Sequence, residues 1–363
     1  FSVILCRSER ESPVTSSDGE PVPSEAAPTL AEVARLANVS GASASRALNG
    51  IKTQPETLEQ VLAAAARVGY VPNASARSLR SKRTGQIAFS MPDVANPVYT
   101  AMLRAIQGVA RERSYRLVLH STGADAAEEL AILRDLRRRF VDGLILVPIN
   151  VTPEHVEELS RASAPVVVIG RIPAEVPVDV VEVDSRRGAA LAVKHLHAHG
   201  RRRIGFVNGP VRTTPGHARR LGYLDALRAT DLPRDDVLVE SAEDFTLDAG
   251  HAATLRLLAR TRPDALLCAN DLLAMGAIGA LRSAGYEVPA DVAVVGMDNS
   301  DLGAIAWPTL TSVDLGSHER ARCAVSLLLD RIAQPDRPPE RIRVAPQLVV
   351  RASSAQARKG RSR

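Results

Sequence analysis

Several polar and aromatic residues stand just past the ends of short apolar runs, and their types suit the recognition of a polyol. Asp93, Asn96 and Tyr99 follow Ser90-Met91-Pro92; Arg219 lies in His217-Ala-Arg-Arg-Leu-Gly-Tyr223, Phe245 in Glu243-Asp-Phe245, Asn270 in Cys268-Ala-Asn-Asp271, and Asp298 in Val295-Gly-Met-Asp-Asn299. An aromatic face packs against the C–H side of a sugar ring, while a fork of Arg, Asp and Asn satisfies hydroxyls that would otherwise be buried unpaired. Each residue also has a structural reading, with Phe245 as core and Asp298 and Asp271 as helix caps. Arg219 is the strongest of the set, because Arg220 can take the surface and leave it free to point inward. Catalysis has no foothold: the chain contains no glycine-rich phosphate loop, no nucleophile-elbow serine and no His-Glu-x-x-His. His195 and His199 share a helical face near His197, but no third ligand is evident nearby, and a helix C-terminus favours histidine for its dipole. Neither a metal nor a cofactor is expected.

The apolar runs that carry these residues alternate with amphipathic stretches of helical period. The strands are expected at Gln86 to Met91, Arg116 to His120, Gly143 to Val147, Val166 to Ile169, Val178 to Val183, Ile204 to Asn208, Val237 to Glu240, Ala265 to Ala269 and Val292 to Met297. Such alternation predicts an α/β fold of parallel sheets covered by helices. The strands are too many for one compact sheet. Two doubly wound lobes, hinged near Val183 and Leu310, accommodate them, with a ligand held at the carboxyl ends of the strands.

Ahead of that region the pattern is purely helical. Thr29 can cap a helix while Glu32 reaches back to complete a capping box, and Leu30, Val33, Ala34 and Ala37 follow at helical spacing. After the turn at Asn38-Val39, Ser40 can cap a second helix that buries Ala44, Ala47 and Leu48 and presents Gly41, Ala42, Ser43, Ser45, Arg46 and Asn49 on its other face. A third helix begins at Pro55, turns Leu58, Val61, Leu62 and Ala65 inward, and stops at Gly69. Two short helices joined by a tight turn and braced by a third form the helix-turn-helix arrangement, whose second helix enters the major groove. The charge agrees: Leu30 to Thr84 carries 8 bases against 3 acids, whereas residues 85–350 sum to −2. A basic front domain on a near-neutral body suggests a polyanion partner.

The words of this region resemble the lactose repressor and galactose repressor family: Thr29-Leu-Ala-Glu-Val-Ala34-Arg-Leu-Ala-Asn-Val-Ser40, Ser45-Arg46-Ala-Leu-Asn49-Gly50, Gly69-Tyr-Val-Pro72-Asn73 and Ala76-Arg77-Ser-Leu79. The resemblance continues through the rest of the ordered chain. It implies a sequence-specific DNA-binding transcriptional regulator, expected to be a repressor, with a periplasmic-binding-protein-like effector domain. Gly41, Ala42 and Ser43 would open the recognition helix. Arg46 would hydrogen-bond a guanine edge, or in the plainer reading a phosphate, and Ala42 would meet a thymine methyl. Gly41 and Ala42 depart from the larger polar residues often found there, so direct base contacts are few. Asn73 to Arg80 resembles the family's hinge helix, which would be marginal alone and would fold on DNA. Leu79 would wedge into the minor groove, with Arg77 and Arg80 neutralising phosphates beside it. Arg219, Phe245, Asn270 and Asp298 match family effector positions, and Trp307 to Ser312 resembles the crossover between lobes, read as hinge.

The composition permits this organisation. The chain has 363 residues, 45% of them apolar and 24% charged, ordinary values for a globular protein with more than one domain. No stretch approaches a membrane helix, and Phe1 to Cys6 is too short for a signal-peptide core. Cys6, Cys268 and Cys323 fit reduced thiols, so the expected location is the cytoplasm, at the nucleoid. A secreted sugar-binding protein of a transport system, the rival from another class, would need the reverse of these features. The expected domains are a disordered leader (1–28), the helix-turn-helix domain (29–72), a hinge helix and linker (73–84), an effector and dimerisation domain (85–352) and a disordered basic tail (353–363). Within the effector domain, lobe 1 is expected at 85–182 and 312–342, and lobe 2 at 183–311 and 343–352. The expected partners are double-stranded operator DNA, a small-molecule effector of the sugar class, and a second copy in a homodimer or higher oligomer. The helices around Val98 to Val109 and Ala126 to Leu136 would supply much of that interface. No membrane partner is expected.

Overall fold

The structure, a computed structural model, describes residues 28–49, 51–71 and 83–355. The expected leader, Gly50, the hinge residues Asn73, Arg77, Leu79 and Arg80, and the end of the basic tail lie outside the described residues. The chain divides into two compact units at Ser81/Lys82.

The first unit contains three helices, α1 (Leu30–Leu36), α2 (Gly41–Leu48) and α3 (Pro55–Val68). Thr29 Oγ1 accepts the Glu32 N–H at 3.2 Å, the first half of the expected capping box; the reciprocal bond is absent among the described residues. Asn38 turns the chain at φ 52°, a left-handed value that Asn tolerates. Ser40 Oγ accepts the Ser43 N–H at 3.1 Å and starts α2, and Gly69 ends α3 at φ 66°. Val33, Ala34, Ala37, Ala44, Ala47, Val61, Ala64 and Ala65 form the core. Two inward assignments fail: Leu58 and Leu62 are exposed, and the inward positions of α3 are Val61, Ala64 and Ala65. A core this thin takes alanine where helices approach closely, and it has no room for two further leucines. Ser45, assigned to the outer face, is buried.

The second unit holds two six-stranded sheets. The first runs β11 (Arg341–Val344), β5 (Asp179–Val183), β4 (Val166–Ile169), β3 (Leu144–Leu146), β1 (Gln86–Met91) and β2 (Arg116–Ser121), with every neighbouring pair parallel. The second runs β12 (Gln347–Val349), β10 (Thr311–Asp314), β9 (Ala293–Met297), β8 (Ala265–Cys268), β6 (Ile204–Asn208) and β7 (Val239–Ser241), and only β12 pairs antiparallel. The period of two is clear in the first lobe. Ile87, Phe89, Ile145 and Val167 face α4 (Pro97–Glu112) and α12 (Ser317–Ala333), while Ala88, Leu144, Leu146 and Val168 face α5 (Ala126–Asp135) and α6 (Pro153–Ser160). Burial on both faces makes such strands read as continuous apolar runs. The second sheet is covered by α7 (Ser185–Ala198), α8 (Thr214–Ala229), α9 (Leu247–Arg260) and α10 (Asp271–Ser283), and the short α11 (Asp301–Ile305) follows β9.

Three boundaries differ from expectation. Thr311–Asp314 pairs with Val295 to Met297 as a strand of the second lobe, so Trp307 to Ser312 is not the hinge; the crossover comes at Leu315-Gly316. The last crossover follows Val344, because Arg341–Val344 pairs with Val180 to Val183 in the first lobe. The second lobe also extends beyond Ala352: Ser353 Oγ donates to Val294 O at 2.6 Å and accepts the Thr311 N–H at 2.8 Å, so these first residues of the expected disordered tail are buried structure. At the other end, Thr84 and Gly85 donate their N–H groups to Asp142, which ties the end of the linker to the first lobe. Within the expected strand at Val237 to Glu240, a 3-10 turn (Asp236–Leu238) precedes β7. Among the described residues, no helix is long and apolar enough to cross a membrane.

Candidate functional sites

Helix α2 presents its short residues outward. Gly41, Ala42 and Arg46 are exposed and Ser43 half-exposed, while Ala44, Ser45 and Ala47 hold the opposite face in the core. Ser40 Oγ and Ser43 Oγ lie 2.9 Å apart, and Arg46 Nη2 donates to Ser43 Oγ at 3.4 Å, which draws the guanidinium along this face. Thr29 and Ser40 are exposed and spend their hydroxyls on helix caps. Asn49 ends α2, is half-buried, and donates Nδ2 to Ser45 O at 2.6 Å. A helix end needs its last carbonyls satisfied, and Asn49 does this from its own side chain.

In the second unit the carboxyl ends of both sheets open onto one cleft of about 640 Å³ between the lobes. All seven residues singled out in the sequence line it: Asp93, Asn96 and Tyr99 from the first lobe, and Arg219, Phe245, Asn270 and Asp298 from the second. They share it because each follows a strand directly or heads the helix after it, and in a doubly wound sheet those positions converge. Arg219 is 7% exposed and points inward, as its pairing with Arg220 suggested. Its Nη1 donates to Ala269 O at 2.5 Å, its Nη2 lies 3.8 Å from Asp298 Oδ1, its enclosed Nε has no partner among the described residues, and its guanidinium stands 5.8 Å from the Phe245 ring centroid. Gly209 makes room for that ring, since a Cβ there would overlap it.

Asp298 sits at φ 118°, where a side chain is strained, and its N–H is fixed to Val313 O at 2.8 Å. Strain held in place by the surrounding structure is common where a group must be aimed. Burial pushes its carboxyl up to about 7, outweighing the nearby Arg219. Burial also raises the Tyr99 phenol. The two amides are partly committed. Asn96 Oδ1 caps α4 at Val98 N, and Asn270 accepts from Leu273 N at 2.8 Å while donating to Phe245 O at 3.0 Å. Asn270 is thus the cap of α10, the role considered for Asp271. Asp271 is buried instead, receiving Ser300 N–H and Oγ and Ser312 Oγ, and its carboxyl is raised mainly by desolvation. Asp93 is exposed and accepts Ala95 N–H.

Sequence reasoning missed Arg320, Asn150, Thr213 and Arg212 in the lining. Arg320 is the consequential omission: it lies between Glu319 and Arg322 and follows the polar strand Thr311–Asp314, which offers no apolar run to mark a strand end. The histidines serve structure: His195 Nε2 lies 2.8 Å from Ser354 Oγ, and burial drives His195 down to about 4. His199 Nδ1 lies 2.8 Å from His195 O. Among the described residues, no group of three His, Cys, Asp or Glu could hold a metal.

Comparison with known proteins bears on both units. Residues 29–73 match the model of bacterial regulatory proteins of the lacI family, and residues 193–354 match that of the periplasmic binding protein-like domain. The chain is similar to catabolite control protein A of Priestia megaterium, 36% identical over 304 residues that span 83% of this chain and 91% of that protein. It is similar to the ribose operon repressor of Escherichia coli K12, 32% identical over 329 residues that span 90% and 99%. Among solved structures it is similar to a transcriptional regulator CelR-cellobiose complex, with a TM-score of 0.68, 34% identity and coverage of 90% and 99%. A helix-turn-helix unit, two parallel-sheet lobes and relatives matched over nearly their full length lead to one conclusion: the chain belongs to the lacI family of bacterial regulatory proteins, which are DNA-binding regulators and not enzymes.

Proposed function

We propose that the chain is a transcriptional repressor that binds a palindromic operator as a homodimer and is controlled by a sugar held between the two lobes. The observation that carries the reading is the cleft, where seven side chains from both lobes meet as an aromatic face and a set of polar groups. Two relatives support the sugar class, the ribose operon repressor and the CelR-cellobiose complex. The homodimer follows from reach. One recognition helix covers only a few base pairs, and two related by a twofold axis read a palindrome about one turn apart. Helices α4 and α5 supply much of the dimer interface, and the protein works in the cytoplasm at the nucleoid. Thr214 N–H already donates to Ile149 O across the lobes at 3.0 Å. A ligand that reorients them alters the start of the first lobe, where Thr84 is anchored, and so the hinge residues Asn73, Arg77, Leu79 and Arg80 before it. Sugar and operator affinities are then linked reciprocally.

Selection of duplexes from a random pool at physiological salt tests this reading. A twofold-symmetric site should emerge, bound roughly a thousandfold tighter than random duplex, and a sugar should release it. No preference for a palindrome would sink the proposal. In the same assay Arg46→Ala should relax discrimination at one base pair per half-site, at a cost of about 1–3 kcal/mol. A uniform loss over all sequences would make Arg46 a phosphate contact.

A further inference from the structure

The cleft contains a cation that no carboxylate among the described residues contacts. Arg320, in the first turn of α12, is 8% exposed and lines the cleft with Tyr99, Met102 and Leu315. Among the described residues no carboxylate oxygen comes within 4.0 Å of its guanidinium, none of its side-chain nitrogens makes a hydrogen bond, and its Nε is fully enclosed. The other two buried arginines are provided for. Arg201 donates to the carbonyls of Asp264, Pro289 and Asp291, and Arg219 donates to Ala269 O and faces Asp298. Asp298, Asp314 and Tyr99 act on Arg320 from longer range and Arg219 opposes them, so desolvation dominates and brings its pKa down to about 10. It stays protonated at neutral pH, and a buried charge without a partner is costly unless something else completes the set.

We propose that Arg320 sets the specificity of the cleft by receiving an oxyanion carried on the effector, so that the effector is a sugar acid or sugar phosphate and not a neutral sugar. This rests on the reading of the cleft as a sugar site and deepens it. The buried charged groups of the cleft are two guanidiniums, Arg219 and Arg320, against one carboxyl, Asp298. A neutral polyol can accept hydrogen bonds from Arg320 but leaves its charge unmatched. A carboxylate or phosphoryl group matches the charge and the planar fork of donors together. Asp298 and Asn270 remain for the hydroxyls, and Phe245 for the ring face.

Calorimetry on the full-length protein with matched ligands tests this: glucose against glucuronate and a hexose phosphate, cellobiose against cellobionate. At least one anionic ligand should bind about tenfold or more tightly than its neutral counterpart, the carboxylate and phosphate arms naming the source. Arg320→Met should abolish that preference, and Arg320→Lys, which keeps charge without the fork, should retain part of it. Removing an unmatched charge should leave the ligand-free Arg320→Met protein melting at or above the wild type; a clear fall would reveal a structural partner and overturn the proposal. Neutral sugars binding as well as all anionic ones, or a preference surviving Arg320→Met, would also overturn it while leaving the sugar reading intact. If no sugar of either kind binds, the sugar reading itself fails, and this inference with it.

Discussion

Arg219→Ala should abolish the response to effector while leaving operator binding in its absence within about threefold of the wild type. Arg219 joins three kinds of group on the second lobe's side of the cleft: it donates to the Ala269 carbonyl, faces the Asp298 carboxyl at 3.8 Å and stands over the Phe245 ring. Its Nη2, which makes no hydrogen bond among the described residues, remains for a ligand. Hydrogen bonds to a charged group contribute about 1.5–3 kcal/mol each. Losing two of them lowers affinity by about a hundredfold or more, at about 1.4 kcal/mol per tenfold. Stability should change less than for most buried arginines. The Asp298 carboxyl, already raised to about 7 by burial, can take up a proton when its cation is removed and so escape as a neutral acid. Titration of operator complexes with the effector would check the response, and a response preserved in Arg219→Ala would place the ligand elsewhere.

The elements that were legible in the sequence are those whose signal is local. Thr29, Ser40 and Gly69 mark helix ends because a hydroxyl satisfies free N–H groups and glycine accepts a left-handed turn. Most of the seven cleft residues were legible because the central strands before them are buried throughout, so the end of each apolar run marks a strand end; the edge strand β7 before Phe245 is only partly buried. What was missed depends on partners far away in sequence. Thr311–Asp314 is polar, and it is a strand only because β9 and β12 flank it. Arg341–Val344 alternates charge with apolar residues, as suits the edge of a sheet, and so lacks the run that marked the central strands. Ser353 looks like the start of a tail until the Val294 and Thr311 backbone groups are seen to meet it. Helical period showed that α3 has an apolar side but not which residues the two neighbouring helices would reach, so Leu58 and Leu62 were misplaced.

Asp179→Ala should lower the stability of the effector unit by about 3–5 kcal/mol, the usual consequence of removing one partner from a buried charge network. Asp179 opens β5 with its side chain fully buried, and receives Arg331 Nε at 3.0 Å, Arg331 Nη2 at 2.9 Å, Arg337 Nη2 at 3.2 Å and the Glu340 N–H at 2.8 Å. These bonds tie the end of α12 and the turn into β11 to the first sheet, so the carboxylate positions the helix that carries Arg320 as well as stabilising the lobe. Its loss would leave two guanidiniums, whose side chains are only 13% and 15% exposed, without their buried carboxylate: Arg331 would keep the carbonyls of Pro335, Arg337 and Pro338, and Arg337 would keep Glu340 at 3.2 Å. In a unit of this size each kcal/mol moves the midpoint by about 2–4 °C, so a fall of roughly 10 °C is expected. The pH dependence separates charge from shape. Burial alone would raise the Asp179 carboxyl, but Arg331 and the Glu340 N–H outweigh it and hold the group below the usual carboxylate range. With the folded pKa below the unfolded value of about 3.9, the unfolded chain takes up protons first on acidification. The stabilisation is therefore complete above the unfolded value and fades as pH falls through the folded one. Thermal melts of the wild type and Asp179→Asn should differ by a constant amount from about pH 5 to 8 and converge in stronger acid. A difference that persists unchanged there would mean that Asp179 acts through shape and hydrogen bonding alone.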